Sequence, residues 1–277
     1  TPLGAFKIRG GLVYFDALAR DRSIKGVITA TRGNHGQSVG FAARRHGIPA
    51  KIMVPFGNSM EKNAAMRAQG VELIEHGEEF QTAREYAEKQ ARELSLHMVP
   101  SFHPSLVAGV ATYSLEFLRA VPELDIVYVP IGMGSGLCGM VAARESLGFK
   151  VEIIGVVSAQ ARAYAESFIT RRAMEAPVTT KLADGMACRS PDPQALEIMW
   201  RHVARMVAVT DAEVADAMRI MFECTHNVAE GAGAASLAAA LQERARLAGR
   251  KVGVVLSGGN VDRQVFARVL GQTATNL

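Results

Sequence analysis

The chain has 277 residues, of which 49% are hydrophobic and 21% are charged, and these proportions exclude a disordered or collagen-like protein. Its 31 Lys and Arg residues exceed its 27 Asp and Glu residues by four, and both signs are interleaved, so a nucleic-acid partner has little support. The three cysteines lack the spacing of a disulfide framework or a zinc site. No uncharged apolar run could span a bilayer and no signal peptide opens the sequence, so we expect a cytoplasmic protein without a membrane partner.

Short β-branched runs alternate with amphipathic stretches along the chain. The predicted strands are Gly26 to Thr29, Lys51 to Val54, Val71 to Ile74, Ile126 to Ile131, Val151 to Val157 and Val252 to Leu256. Strands that alternate with helices predict parallel sheets covered by helices on both faces, and their number favours two α/β domains. Ligands of such sheets gather at the carboxyl ends of the strands, so the loops after the strands are the places to search for chemistry.

Two motifs lie in the first fifth of the chain. Lys7 opens a helical stretch within the run 4–11, and a lone lysine of this kind is usually a solvated side chain. The run Thr31 to Ser38 follows the first predicted strand and precedes a helix predicted over Val39 to His46. Its glycines leave backbone N–H groups free to face an anion, such as a substrate carboxylate, at a helix N-terminus.

A glycine-rich turn follows the strand that starts at Ile126. Residues 132–139 read Gly-Met-Gly-Ser-Gly-Leu-Cys-Gly, and such a turn before a helix cradles phosphate with backbone N–H groups. The match to GxGxxG from Gly134 to Gly139 leaves a nicotinamide dinucleotide site as the alternative, although Val156, Val157 and Ser158 stand where an acidic residue would hold the ribose. The last motif, 257–260, is by itself only a turn after a strand.

In this order, the four motifs resemble those of the fold-type II pyridoxal-phosphate enzymes, the family of threonine and serine dehydratases, serine racemase and 3-hydroxyaspartate dehydratase. The resemblance implies that Lys7 is the catalytic lysine bound to pyridoxal 5'-phosphate, with Phe6 beside the ring. It implies cofactor contacts at Asn34, Gly132, Met133, Gly134, Ser135, Gly136, Leu137, Glu230 and Ser257. It implies a substrate-carboxylate loop made of Thr31, Arg32, Gly33, Asn34, His35 and Gly36.

The resemblance also implies an α/β architecture like that of the tryptophan synthase β subunit. Residues 1–22 and 106–277 would form a large cofactor domain, whose first part precedes Thr1 in relatives, and residues 23–105 would form a small substrate domain. The protein would be a homodimer or homotetramer that acts on a small amino acid.

The implied reaction is dehydration and deamination of a hydroxy amino acid of the threonine or serine type to a 2-oxo acid and ammonia. Ser257 at the ring nitrogen would favour elimination over transamination, because a neutral hydroxyl leaves the pyridine less protonated than an aspartate would. Two alternatives within the family stay open: a larger or more acidic substrate, such as 3-hydroxyaspartate or an intermediate of hydroxyectoine breakdown, and serine racemisation.

Arg32 departs from the family pattern, because many relatives carry a serine there. A guanidinium already holds its proton at neutral pH and therefore cannot abstract another, so we expect dehydration without appreciable racemisation. We also expect no metal, since the stretch 157–163, where metal-activated relatives carry acidic ligands, contains no carboxylate.

Overall fold

The computed structural model describes residues 2–271, which fall into two compact units that divide between Val110 and Ala111. The first unit contains the elements α1 Lys7–Leu18, β1 Val27–Ala30, α2 Asn34–Arg45, β2 Ala50–Val54, α3 Met60–Arg67, β3 Glu72–Glu75, α4 Phe80–Glu93 and β4 His97–Met98. Helix α5, Pro104–Ala120, runs across the division. The second unit contains β5 Ile126–Pro130, α6 Ser135–Leu147, β6 Glu152–Ser158, α7 Ala163–Thr170, α8 Pro193–His202, β7 Arg205–Val209, α9 Asp211–Thr225, α10 Gly231–Gln242, β8 Val252–Val254 and α11 Arg263–Leu270, with short 3₁₀ turns at Asp184–Met186 and Arg244–Arg246.

The sheet of the first unit has the strand order β3-β2-β1-β4, and each pair is parallel. Neighbouring residues of a strand alternate between its two faces. Val27 of β1 accordingly packs in the cluster that includes Phe15 of α1 and Val39 of α2, whereas Ile28 packs against Ala83, which belongs to the alanine stripe of α4. Both faces of this sheet are therefore covered by helices, as the alternation of strands and helices predicts.

The sheet of the second unit has the order β7-β6-β5-β8 and is also parallel throughout. One face packs against α9 and α10 in a single apolar cluster that includes Tyr128, Ile154 and Val207. The alanine-rich α10 can approach this sheet closely because its side chains are short. The α/β class and the parallel sheets are confirmed, and β5 to α6 is the strand, turn and helix unit predicted around the glycine-rich run.

The structure departs from the sequence prediction at three points. It adds the strands β4 and β7, and it starts α2 at Asn34 rather than at Val39, so the middle of the predicted loop is the first helical turn. The helix starts early because Gly33 takes the N-cap position with φ +157°, a conformation that other residues rarely adopt.

Helix α1 lies in the first compact unit together with β1 to β4. It packs closely on α2, because a Cβ on Gly11 of α1 would lie 2.2 Å from Oγ of Ser38 in α2. The grouping of residues 1–22 with 106–277 stays a prediction. None of the helices among the described residues combines the length and apolar character needed to cross a membrane.

Candidate active site

Lys7 is the first residue of α1, directly after the N-cap residue Phe6, and its Nζ lies 5.4 Å from the centre of the Phe6 ring. The Oγ of Ser38 in α2 donates a hydrogen bond to the Lys7 carbonyl oxygen at 2.7 Å. Burial lowers the pKa of the Lys7 amine from 10.5 to about 8. A lysine in this state supplies a neutral, nucleophilic amine much closer to neutral pH than an exposed lysine does.

The predicted carboxylate loop is shaped by the hydroxyl of Thr31. Its Oγ1 accepts hydrogen bonds from the backbone N–H groups of Gly33 at 2.9 Å and Gly36 at 3.3 Å. A Cβ on Gly33 would lie 2.4 Å from Cδ of Lys62, so this position has no room for a side chain. Thr31 therefore holds the turn, and the N–H groups of the first turn of α2, which begins at Asn34, form the candidate anion-binding feature.

His35 lies in this first helical turn and is only 8% exposed. Its Nε2 is buried and has no hydrogen-bond partner within residues 2–271. Burial, and after it the positive charge of Lys7, lower the pKa of His35 to about 3. The structure thus brings His35 within electrostatic reach of Lys7 and keeps the imidazole neutral at working pH.

Arg32 precedes the helix and is partly exposed. Its Nε is buried without a hydrogen-bond partner, and none of the carboxylates in the described part of the chain forms an ion pair with it. A buried polar atom without a partner is costly, so a guanidinium in this state is suited to an acidic ligand that completes its hydrogen bonds.

The glycine-rich turn between β5 and α6 is packed so tightly that its glycines are required. A Cβ on Gly132 would lie 2.3 Å from the carbonyl oxygen of Gly185. Gly134 is the N-cap of α6 in the left-handed conformation, with φ +94°, and a Cβ there would lie 2.8 Å from Cβ of Ala195. The helix that follows has thirteen residues, so its N-terminus presents backbone N–H groups and a positive dipole end to an anion.

Four of the predicted cofactor contacts cluster around the start of α6. Ser135 and Leu137 are almost fully buried, at 1% and 0% exposure. Met133 is partly exposed, and Gly136 lies in the first helical turn.

Ser257 and Glu230 occupy adjoining loops of the second unit, and their exposures are 7% and 2%. The Glu230 N–H donates to the carbonyl oxygen of Gly258 at 3.1 Å. The segment with Gly185 links this pair to the glycine-rich turn, because a Cβ on Gly185 would lie 3.0 Å from Cβ of Ala232, two residues after Glu230. The second unit therefore brings together predicted site residues whose motifs lie far apart in sequence, at positions 132–137, 230 and 257.

The sequence reasoning missed the segment 182–186 and the role of Ser38. The segment has no regular periodicity and no motif, so only its contacts identify it. Ser38 belongs to the motif 31–38, but nothing in the sequence indicates that its hydroxyl donates a hydrogen bond to the carbonyl of Lys7. No group of three or more His, Cys, Asp or Glu side chains that could hold a metal ion occurs within residues 2–271.

Residues 1–258 match the family described as pyridoxal-phosphate dependent enzyme, which favours a phosphate site over a dinucleotide site at the glycine-rich turn. The L-threonine ammonia-lyase of Thermotoga maritima is 34% identical over 270 residues, 97% of this chain and 67% of that protein. The processed form of threonine deaminase isoform 2 from Solanum lycopersicum matches with a TM-score of 0.89 at 26% identity, over 98% of this chain and 80% of that one. Maize serine racemase matches with a TM-score of 0.88 at 28% identity, over 96% and 82%. The chain therefore belongs to the family of pyridoxal-phosphate-dependent enzymes.

Proposed function

We propose that the protein is an ammonia-lyase that dehydrates and deaminates threonine or serine to a 2-oxo acid and ammonia. The observation that carries the proposal is Lys7, whose amine has a pKa of about 8 and which is held against the helix that carries the candidate carboxylate loop. The identity of 34% to a protein named L-threonine ammonia-lyase supports this choice of reaction.

The residues present fit pyridoxal 5'-phosphate. The turn at Gly132 and Gly134, where a Cβ would meet backbone or side-chain atoms, leads into a helix N-terminus suited to a phosphate group. The buried hydroxyl of Ser257 is a neutral partner for a ring nitrogen. Lys7 is the amine that attaches an aldehyde.

When bound, the cofactor supplies an aldehyde that condenses with amines and a ring that takes up the electrons left by a departing α-proton. Lys7 would accept the α-proton at Nζ, because its lowered pKa leaves about half of the amine neutral at pH 8. The first turn of α2 binds and orients the substrate carboxylate. Ser257 would hold the ring nitrogen with a neutral hydroxyl rather than a charged group, an arrangement that favours elimination over transamination.

The experiment is the substitution Lys7→Ala, assayed by 2-oxo acid release from threonine and serine. We expect turnover and the visible absorption of the bound cofactor to disappear, while the far-ultraviolet circular dichroism is unchanged. Lys25→Ala removes an exposed lysine of the same unit and serves as the matched control. Borohydride reduction followed by peptide mass mapping should place the cofactor mass on Lys7. Cofactor mass on another lysine would refute the assignment.

A second candidate substrate class is a hydroxy amino acid with an additional acidic group, such as 3-hydroxyaspartate or an acidic intermediate of hydroxyectoine breakdown. It is favoured by Arg32, whose buried Nε has no partner within residues 2–271. If Arg32 binds such a group, Arg32→Ser lowers kcat/KM for the acidic substrate about tenfold or more, as for loss of a charge-assisted hydrogen bond, and changes kcat/KM for threonine little. An equal loss on all substrates, or no loss on any, would remove the selectivity role.

Further parts of the proposal concern stereochemistry, assembly and location. Because a guanidinium cannot serve as the base that abstracts an α-proton, we expect the enzyme with Arg32 at this position to form no appreciable D-amino acid, and chiral chromatography of threonine or serine after prolonged incubation tests this. We further propose a homodimer or homotetramer in the cytoplasm, with no nucleic-acid or membrane partner. Sedimentation analysis of the purified protein measures the assembly.

A further inference from the structure

Two tyrosine hydroxyls donate hydrogen bonds to backbone carbonyl groups at the start of α6. Tyr164 of α7 donates to the carbonyl oxygen of Met133, and Tyr113 of α5 donates to that of Gly136, each at 3.1 Å. These carbonyls lie on either side, in sequence, of the N-cap residue Gly134. Two different helices therefore hold the backbone of the same short turn.

These bonds determine which backbone groups the turn can offer to a ligand. A carbonyl oxygen that faced a phosphate would repel it, whereas the N–H groups at a helix start attract it. Burial raises the pKa of Tyr113 to about 12 and raises the pKa of Tyr164 well above its ordinary value of 10. Both hydroxyls therefore keep their protons and remain donors throughout the working pH range.

Tyr164 also connects the turn to α8. Its hydroxyl oxygen accepts a hydrogen bond from the N–H of Asp192 at 3.0 Å, and the Asp192 carboxylate caps α8 by accepting from Gln194 N–H at 3.0 Å and Ala195 N–H at 3.2 Å. Ala195 is the residue whose Cβ would meet a Cβ on Gly134 at 2.8 Å. The turn, Tyr164 and the start of α8 thus form one closed set of contacts.

We propose that Tyr113 and Tyr164 are positioning residues that set the affinity of the turn for the cofactor phosphate, and so the preference for pyridoxal 5'-phosphate over unphosphorylated pyridoxal. The inference rests on the proposed assignment of this turn to the phosphate. Neither tyrosine touches the reacting atoms in this scheme. Tyr164 acts by holding the Met133 carbonyl away from the anion, whereas Tyr113 acts by fixing the first turn of α6 through the carbonyl of Gly136, which already points away from the helix N-terminus.

The experiment compares the dissociation constants of pyridoxal 5'-phosphate and pyridoxal for the cofactor-free chain, titrated by visible absorbance. Tyr113→Phe and Tyr164→Phe each remove one hydroxyl, and we expect each to raise the constant for pyridoxal 5'-phosphate about fivefold, the net value of one hydrogen bond, and to leave that for pyridoxal unchanged. Tyr128→Phe is the matched control, because this buried tyrosine of the same unit donates at 2.7 Å to Glu243 instead. It should leave both constants unchanged.

The outcomes separate the possible failures. An equal rise in both constants means general loosening of the fold and overturns the positioning role, as does no change in either. Gly134→Ala tests the underlying assignment: if this change in the turn leaves the ratio of the two constants unaltered, the turn does not bind the phosphate at all. Tyr164→Phe also removes the acceptor of the Asp192 N–H, so this variant could fail to fold. Tyr113→Phe keeps the bond between Asp192 and Tyr164 and then tests the positioning role by itself.

Discussion

The lowered pKa of Lys7 predicts how the rate of cofactor attachment depends on pH. Only the neutral amine attacks an aldehyde, and with a pKa of about 8 half of the Lys7 amines are neutral at pH 8. An exposed lysine with the ordinary pKa of 10.5 would be neutral to only about 0.3% at that pH. Burial therefore increases the reactive fraction at pH 8 by about 150-fold. Because the shift is downward, the fold advantage is largest below pH 8, at about 300-fold, falls as the pH rises from 8 to 10.5, and is lost above pH 10.5.

The assay mixes cofactor-free protein with pyridoxal 5'-phosphate and follows the growth of visible absorbance from pH 6 to 10.5. We expect the rate constant to rise tenfold per pH unit at low pH and to level off above pH 8. The profile of Nα-acetyl-lysine in the same buffers is first corrected for the ionisation of its own amine near pH 10.5. What remains reports the ionisation of the cofactor, and this part is divided out. A corrected rate that still rises steeply between pH 9 and 10 would show that Lys7 titrates like an exposed lysine and would refute the reasoning.

Three further predictions concern the rest of the site. Gly134→Ala should lower the unfolding temperature and weaken cofactor binding, because the new Cβ makes a contact at 2.8 Å and the left-handed backbone adds strain of about 1–2 kcal/mol. Gly148 is also left-handed but has open space around it, so Gly148→Ala should lower the unfolding temperature without weakening cofactor binding. Thr31→Val, which removes the acceptor of two backbone N–H groups, should raise KM for the amino acid several-fold while Thr31→Ser does not, and equal KM values for both would contradict this role. EDTA should leave activity unchanged, since residues 157–163 contain no carboxylate, and a several-fold rescue by Mg²⁺ would count against the prediction.

The strands with long β-branched runs could be predicted from sequence, whereas those without them could not. β5 and β6 lie within two residues of their predicted bounds, because buried parallel strands are apolar throughout. β4 has two residues, too few for any periodicity, and β7 begins with Arg205, whose guanidinium is held by Glu243 and Glu152. An arginine at a strand start gives no strand signal until its ionic partners are known.

The site motifs could be predicted from the sequence because glycines and a lysine occur at the ends of strands and helices. The contacts that support these motifs could not be predicted. The start of α2 was predicted five residues late, since the apolar pattern begins at Val39 while the helix begins at Asn34. The contact between Gly132 and the carbonyl of Gly185 joins residues more than fifty positions apart and depends on the absence of a side chain at position 132. Long-range contacts of this kind leave no local pattern in a single sequence.

The bond from Ser38 to the carbonyl of Lys7, together with the fit of Gly11 against Ser38, has a consequence for how the substrate range of this fold can change. The reactive amine and the loop beside it share one backbone support, so a new loop must be compatible with the lysine helix before its own chemistry matters. Transplanting residues 31–36 from a relative should therefore preserve cofactor attachment only when the residues at positions 11 and 38 still fit each other. Exchanging loop and helix contacts together is the combination that we expect to yield active chimaeras.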